Sequence, residues 1–275
     1  MSVSLRDAFR RVFKEECFLP NYTALVVMSF CSGLLYFAMR AKNIPYILPS
    51  VVLAIAALIL SEGYHLKYFK AITSEVQPTM PDWKKFGFYG LTGLKFFAAS
   101  IILGMVFTSV IMILITILLV FGLFLKSAMS AMFLAFAVIV GIGEMLICLC
   151  MPAFVYVFTD MDESVTSFLF LNKVFKNFSC SYFVALFLIA VLSSLNAILA
   201  VLTTINIKYV LLYIIPLMIT PFLRLVSDNI MAQAYIANKN GQKDSAGKMI
   251  IYMFLAVAVI AGLFFFVYVA ETAKY

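Results

Sequence analysis

The sequence predicts an all-α protein that crosses a membrane several times. Of its 275 residues, 65% are hydrophobic and only 12% are charged, whereas a typical soluble domain is about half apolar and about a quarter charged. Several apolar runs reach about 20 residues, the length that an α-helix needs to span a bilayer. The strands of a membrane barrel are about half as long, so runs of this length predict helices.

One integral membrane domain covering residues 1–275, with about seven spans (six to eight), is predicted. Residues 1–20 are expected to form an interfacial amphipathic helix, because Leu5, Phe9 and Phe13 recur at helical spacing beside a basic stripe. The later segments are, in order, spans one and two (22–62), a cytoplasmic polar elbow (63–93), spans three and four (94–158), a cytoplasmic connector helix (159–179), spans five and six (180–227), a cytoplasmic segment (228–248) and span seven (249–270).

Two of these runs have an alternative interpretation. The third run, 94–125, is unusually long, and the sixth, 208–227, carries Pro216 and Pro221, which predict a kink. Either run is also compatible with a re-entrant pair of shorter helices. The basic segment ahead of the first span is too long for a secretory signal, so we expect that span to stay in the mature protein.

The charge distribution predicts an N-terminus inside and a C-terminus outside the cell. In that orientation 15 of the 20 Lys and Arg residues face the cytoplasm and five face outward, as the positive-inside rule requires. The net charge of +7 then fits attraction to anionic lipid, and no basic soluble module remains to bind nucleic acid. We expect an inner-membrane location, with anionic headgroups contacting Arg6, Arg10, Lys14, Lys84 and Lys85.

The two halves of the chain share features that predict a parallel internal repeat. Residues 11–14 read RVFK ahead of the first span, and residues 173–176 read KVFK ahead of the fifth. The second span ends at Ser61-Glu62, and the sixth ends at Ser227-Asp228. Parallel repeats of this kind occur among transporters, but similarity between apolar segments also arises by chance.

A layer of ionisable residues is predicted inside the membrane, toward the cytoplasmic side. Counting from the outer end of each span at about 1.5 Å per residue places Glu62, Glu144 and Arg224 about 24–28 Å deep, with Asp228 just below. Because an unpaired charge in lipid is costly, contacts of Arg224 with Glu62 or Glu144 are expected. The layer is interpreted either as structural ion pairs or as part of an ion pathway. His65, at the end of span two, is interpreted as an interfacial residue.

The polar elbow has a physical interpretation as a segment that follows the membrane surface. A proline can end one helix and start the next, and a Trp ring suits the headgroup level. Glycines allow neighbouring helices to approach closely. These roles apply to Gly63, Tyr64, Pro81, Trp83, Gly90 and Gly93. A binding epitope for a soluble partner is the alternative interpretation.

The elbow also resembles a known family. Gly63-Tyr64, a basic helical turn, the segment from Met80 to Trp83 and the glycines before the next span are similar to the prokaryotic membrane family called domain of unknown function 4013. The likeness extends over about residues 5–238. It implies a prokaryotic inner-membrane protein with several helical spans, and it implies no activity.

No sequence motif supports catalysis or cofactor binding. The chain has one His and five Cys, and it contains no HExxH, GxSxG, P-loop or CxxC pattern. We therefore expect no enzymatic activity, no catalytic residue, no cofactor and no metal site. The predicted function is a non-enzymatic scaffold or accessory subunit of a membrane complex, with a membrane-protein partner or a second copy of the chain. The alternative is a small-solute or ion transporter that uses the polar layer.

Overall fold

The computed structural model describes residues 3–15, 17–40, 44–74, 80–124, 129–205, 214–241, 251–255, 258 and 262. Within these ranges the chain is helical and contains no strand, so the prediction of an all-α protein is confirmed. The helices are α1 (Leu5–Lys14), α2 (Phe18–Arg40), α3 (Ile44–Thr73), α4 (Phe86–Phe124), α5 (Met129–Asp160), α6 (Leu171–Lys176), α7 (Cys180–Ile205) and α8 (Ile214–Lys239). Short 3₁₀ turns cover Trp83–Lys85 and Val165–Leu169.

Four stretches of the described helices are long and apolar enough to cross a membrane. They are Phe18–Leu35, Pro45–Thr73, Trp83–Ile117 and Ile214–Lys239. Two shorter apolar helical stretches, Leu149–Asp160 and Cys180–Ser194, accompany them. The class of helical membrane protein is therefore supported, whereas the count of seven spans and the orientation stay predictions. Most of the predicted seventh span, 249–270, lies outside the described residues.

The chain divides into two compact units. The first comprises Met1–Leu94 and Asn177–Tyr275, and the second comprises Lys95–Lys176. In the first unit, α2, α3, α7 and α8 pack together, and α1 lies against α8. In the second, the C-terminal part of α5 buries Phe154, Val157 and Phe158 and carries the turn at Val165–Leu169 and α6.

Helices α3 and α8 both continue well past the predicted ends of their spans. The predicted spans end at residues 62 and 227, but the helices end at Thr73 and Lys239. The extensions are buried: Tyr64, Tyr68 and Ile72 of α3 are shielded from solvent. On α8 the same is true of nine of the thirteen residues from Leu225 to Ala237. Because these side chains find partners across the interface, the helices persist where hydropathy alone predicts a polar connector.

Part of the apolar side of α1 packs on protein, since Ala8 and Val12 are fully buried while Phe13 is 61% exposed. Ser4 caps the helix by accepting a hydrogen bond from the backbone N–H of Asp7. The rings of Phe9 and Phe13 lie 5.6 and 5.1 Å from the ring of Phe222 on α8. Gln233 of α8 exchanges two hydrogen bonds with the backbone of Ser4. Helix α1 is thus held to α8 at both of its ends, while its basic side remains exposed.

The order of elements in the two halves is similar. A short helix, a long apolar helix and a second long helix follow one another as α1, α2 and α3, and again as α6, α7 and α8. The short helices end at Lys14 and Lys176, the last residues of the related RVFK and KVFK segments. The duplication itself stays a prediction.

Candidate functional site

A chain of three polar contacts joins α3 to α8, and we call it the polar ladder. Oε2 of Glu62 lies 3.0 Å from Nη2 of Arg224. Nε of Arg224 lies 3.6 Å from Oδ1 of Asp228, and Oδ2 of Asp228 lies 2.6 Å from Nδ1 of His65. Because a carboxylate oxygen accepts hydrogen bonds, the last contact is a hydrogen bond in the tautomer of His65 that carries a proton on Nδ1.

Helical spacing brings these four side chains to one interface. Glu62 and His65 are three residues apart on α3, and Arg224 and Asp228 are four apart on α8, so each pair lies on one face of its helix. Glu62 meets Arg224, and His65 meets Asp228 further along both helices. The two helices therefore run parallel at this interface.

The polar ladder runs from an accessible end to a buried end. The Arg224 side chain is 45% exposed, whereas the His65 side chain is only 5% exposed. Asp228 lies between them and contacts both. Each charged group has an oppositely charged or hydrogen-bonding neighbour, which is the condition for placing ionised side chains in a medium of low dielectric.

Two further buried residues continue the interface beyond His65. Nδ2 of Asn229 donates hydrogen bonds to the hydroxyl of Tyr68, at 2.6 Å, and to the backbone oxygen of Leu225, at 3.0 Å. Oδ1 of Asn229 is buried without a hydrogen-bond partner, as is the hydroxyl of Tyr64. The side chains of Asn229 and Tyr64 are almost completely shielded from solvent. The buried end of the ladder is therefore closely packed and incompletely hydrogen-bonded.

An aromatic cluster fixes the elbow against α3. The Trp83 ring stacks on Tyr64 with centroids 4.6 Å apart and an interplanar angle of 3°. The Tyr89 ring meets both of them edge-on, each at 5.7 Å. Tyr89 donates its hydroxyl proton to the backbone oxygen of Asp82, and Oδ1 of Asp82 accepts from the backbone N–H of Lys84. The indole N–H of Trp83 is buried without an acceptor.

Two glycines bring the backbones of α3 and α4 into direct contact. A Cβ atom added at Gly63 would lie 1.9 Å from the carbonyl oxygen of Tyr89, and one added at Gly93 would lie 1.8 Å from that of Ile59. Any side chain at either position would overlap the backbone of the other helix. At Gly90 the nearest atom to an added Cβ is a side-chain carbon of Leu60 at 3.4 Å, an ordinary contact. The close approach depends on Gly63 and Gly93.

Comparison with known proteins gives a family for this chain. A family model described as "Protein of unknown function (DUF4013)" matches residues 47–207, more than half of the 275 residues. The chain belongs to this family. Comparisons with curated proteins and with solved structures found no match. The DUF4013 match contains Glu62, His65 and the elbow, whereas α8 with Arg224 and Asp228 lies beyond it.

The residues of the predicted polar layer are placed as follows. Glu62, Arg224 and Asp228 lie together in the polar ladder. Glu144 lies in α5 and belongs to the other compact unit, and its side chain is outside the part of the structure that is described. Among the described residues, no group of three His, Cys, Asp or Glu side chains is arranged to hold a metal ion.

Sequence reasoning missed the part that His65 plays. We interpreted it as an interfacial residue, but its side chain is buried and contacts Asp228. Its position three residues after Glu62, on the same helical face, is a signal that could have placed it in this interface, although it does not identify Asp228 as the partner. Tyr68 and Asn229 gave no such signal, because a single Tyr and a single Asn do not stand out in a helical sequence. Pro81 precedes the 3₁₀ turn, and Asp82 caps that turn.

Proposed function

We propose that this DUF4013 protein is a non-enzymatic scaffold or accessory subunit of an inner-membrane complex. The observation that carries the proposal is the pairing within the polar ladder. The guanidinium of Arg224 contacts the carboxylates of Glu62 and Asp228, and His65 contacts Asp228 in turn. Side chains paired in this way stabilise a helix interface.

The energetics of buried ion pairs favour this role. Removing one partner of a buried pair costs about 3–5 kcal/mol, because the remaining charge is left uncompensated. In the ladder this cost applies to the buried contact between His65 and Asp228, whereas the half-exposed contact between Glu62 and Arg224 contributes about 1 kcal/mol. The aromatic cluster and the Gly63–Gly93 contact also support the scaffold role, since both hold α3 against α4 and the turn that precedes it.

A small-solute or ion transporter is the second candidate. It is favoured by the accessible end of the polar ladder, where the Arg224 side chain is 45% exposed. An anionic solute could approach the guanidinium from this end. The two candidates differ in whether the ladder must open during function.

Anionic lipid is the expected partner of the basic side of this assembly. Five basic residues on α1 and the elbow are exposed: Arg6, Arg10, Lys14, Lys84 and Lys85. Lysine and arginine near a membrane surface are each attracted to anionic lipid by about 1 kcal/mol. We propose that these residues seat the protein on the cytoplasmic leaflet, with the N-terminus inside.

The two candidates are separated by reconstituting the purified protein into vesicles that contain a pH-sensitive dye. A potassium gradient with valinomycin drives proton flux through any pathway present, and the dye reports that flux. We expect the flux to equal that of protein-free vesicles. A flux that Glu62→Gln abolishes, with thermal unfolding unchanged, would establish the transporter and exclude the scaffold.

The scaffold role has a separate test in native membranes. The protein is tagged at its chromosomal locus, cross-linked before lysis and separated by native electrophoresis in mild detergent. We expect one species that contains this chain and another membrane protein, or a second copy, in a fixed ratio. Recovery of the chain as a lone monomer would contradict the proposal.

A further inference from the structure

The segment between α5 and α7 carries an exposed apolar surface. Leu169, Phe170, Leu171 and Phe175 are between 40% and 62% exposed. These four side chains lie within the seven positions 169–175, which also contain the exposed Lys173, and the exposed Lys176 follows directly. Nζ of Lys173 lies 5.2 Å above the centroid of the Phe170 ring. Exposed aromatic and aliphatic side chains beside lysines are typical of a segment that lies in a membrane interface.

The segment is folded and attached to the end of α5, so its exposure is not that of a loose loop. Val174 and Ser167 are fully buried, and the turn at Val165–Leu169 and α6 both pack on α5. The chain reverses where the N–H of Glu163 donates to the carbonyl of Phe158 at 2.9 Å. Val174 therefore faces α5, and the neighbouring apolar side chains are held at the surface.

We propose that residues Leu169–Phe175 insert their exposed apolar side chains into the bilayer leaflet at which α5 ends. Two observations select lipid as the occupant. The segment is joined at both ends to apolar helices, which end at Asp160 and begin again at Cys180. Its lysines match the charge of anionic headgroups. This surface is separate from the basic residues of α1 and the elbow, and it adds a second attachment point.

Helix α1 supplies a comparison within the same chain. It also precedes a long apolar helix, but its rings at Phe9 and Phe13 pack against Phe222 of α8. The segment before α7 instead directs Leu169 and Leu171 outward. Phe13 is nevertheless 61% exposed, so both short helices leave an aromatic ring accessible, and they differ in that the rings of α1 also contact a ring of α8.

The test uses tryptophan fluorescence, since the full-length chain contains a single Trp. Leu171→Trp and Lys173→Trp variants are reconstituted into vesicles with bromine on shallow acyl-chain positions, and quenching is measured relative to the parent protein. The two positions lie about 200° apart around the helix axis. An inserted side chain is expected about 5–10 Å into the boundary between headgroups and acyl chains. Leu171→Trp should be quenched about twofold more strongly than Lys173→Trp.

The opposite results overturn the proposal in distinguishable ways. Quenching of Leu171→Trp by aqueous acrylamide, and not by brominated lipid, would place the surface in water. Protection from both quenchers would mean that protein covers it, either a second copy or another subunit. Leu169→Trp provides a second reporter if Leu171→Trp unfolds. Equal quenching in phosphatidylcholine vesicles with and without phosphatidylglycerol would show that attraction between the lysines and anionic headgroups does not contribute to insertion.

Discussion

Substitution of Gly93 by alanine tests how tightly α3 and α4 must pack at the elbow. The added Cβ would lie 1.8 Å from the carbonyl oxygen of Ile59, and an ordinary contact begins at 3.4 Å. The two backbones would therefore have to separate by about 1.6 Å, the difference between these distances. Overpacking of this kind costs about 1–3 kcal/mol or more. Alanine recovers about 1 kcal/mol of helix propensity, which leaves a net loss of about 2 kcal/mol.

Gly90→Ala is the matched control, because it makes the same chemical change one helical turn earlier on α4. An added Cβ there meets only a flexible side-chain carbon of Leu60 at 3.4 Å. The gain in helix propensity should then dominate, and the protein should be stabilised by up to about 1 kcal/mol. The two variants are expected to change the free energy of unfolding in opposite directions.

The assay is equilibrium unfolding in mixed micelles, followed by the fluorescence of Trp83. This ring stacks on Tyr64 beside the glycine contact, so separation of α3 from α4 should also shift the emission of the folded Gly93→Ala protein to longer wavelength. Equal stabilities for Gly93→Ala and Gly90→Ala, with unchanged emission, would refute the proposed backbone contact.

Five further substitutions, at four residues, test the polar interface and the aromatic cluster by the same unfolding measurement, with circular dichroism where Trp83 is replaced. Asp228→Asn should lower the free energy of unfolding by about 3 kcal/mol, because two partners lose their carboxylate. Glu62→Gln should lower it by only about 1 kcal/mol, because its partner is half exposed. Equal losses for the two variants would contradict the gradient of burial. Trp83→Phe should leave the free energy of unfolding nearly unchanged, since the stack is retained and an unpartnered N–H is removed. Trp83→Ala should lower it by about 3 kcal/mol. Tyr68→Phe should cost about 1 kcal/mol through the lost hydrogen bond to Asn229, and a loss below about 0.3 kcal/mol would show that this bond contributes nothing.

The fold class and part of the polar ladder were accessible from the sequence. Long apolar runs predicted membrane helices, and counting along those helices placed Glu62 and Arg224 at similar depth. The depth of a residue along a helix does not show which neighbouring helix its side chain faces. For that reason the contact of His65 with Asp228 could not be predicted, although both residues were visible in the sequence.

The ends of α3 and α8 were placed too early for a related reason. Hydropathy falls after Glu62 and after Ser227, so each span appeared to end there, yet both helices continue because their polar extensions pack against each other. Similarly, the glycines of the elbow indicated close packing, but only the three-dimensional arrangement separates Gly93, which contacts backbone, from Gly90, which does not.

A double-mutant cycle on Glu62 and Arg224 tests most directly whether the polar ladder holds α3 to α8. The free energies of unfolding of the parent, Glu62→Gln, Arg224→Gln and the double variant are compared in the same micelles. A structural contact at 3.0 Å predicts a coupling energy of at least about 0.5 kcal/mol, with the double variant losing less than the two single losses together. Losses that add to within about 0.3 kcal/mol would contradict the proposed role of the ladder.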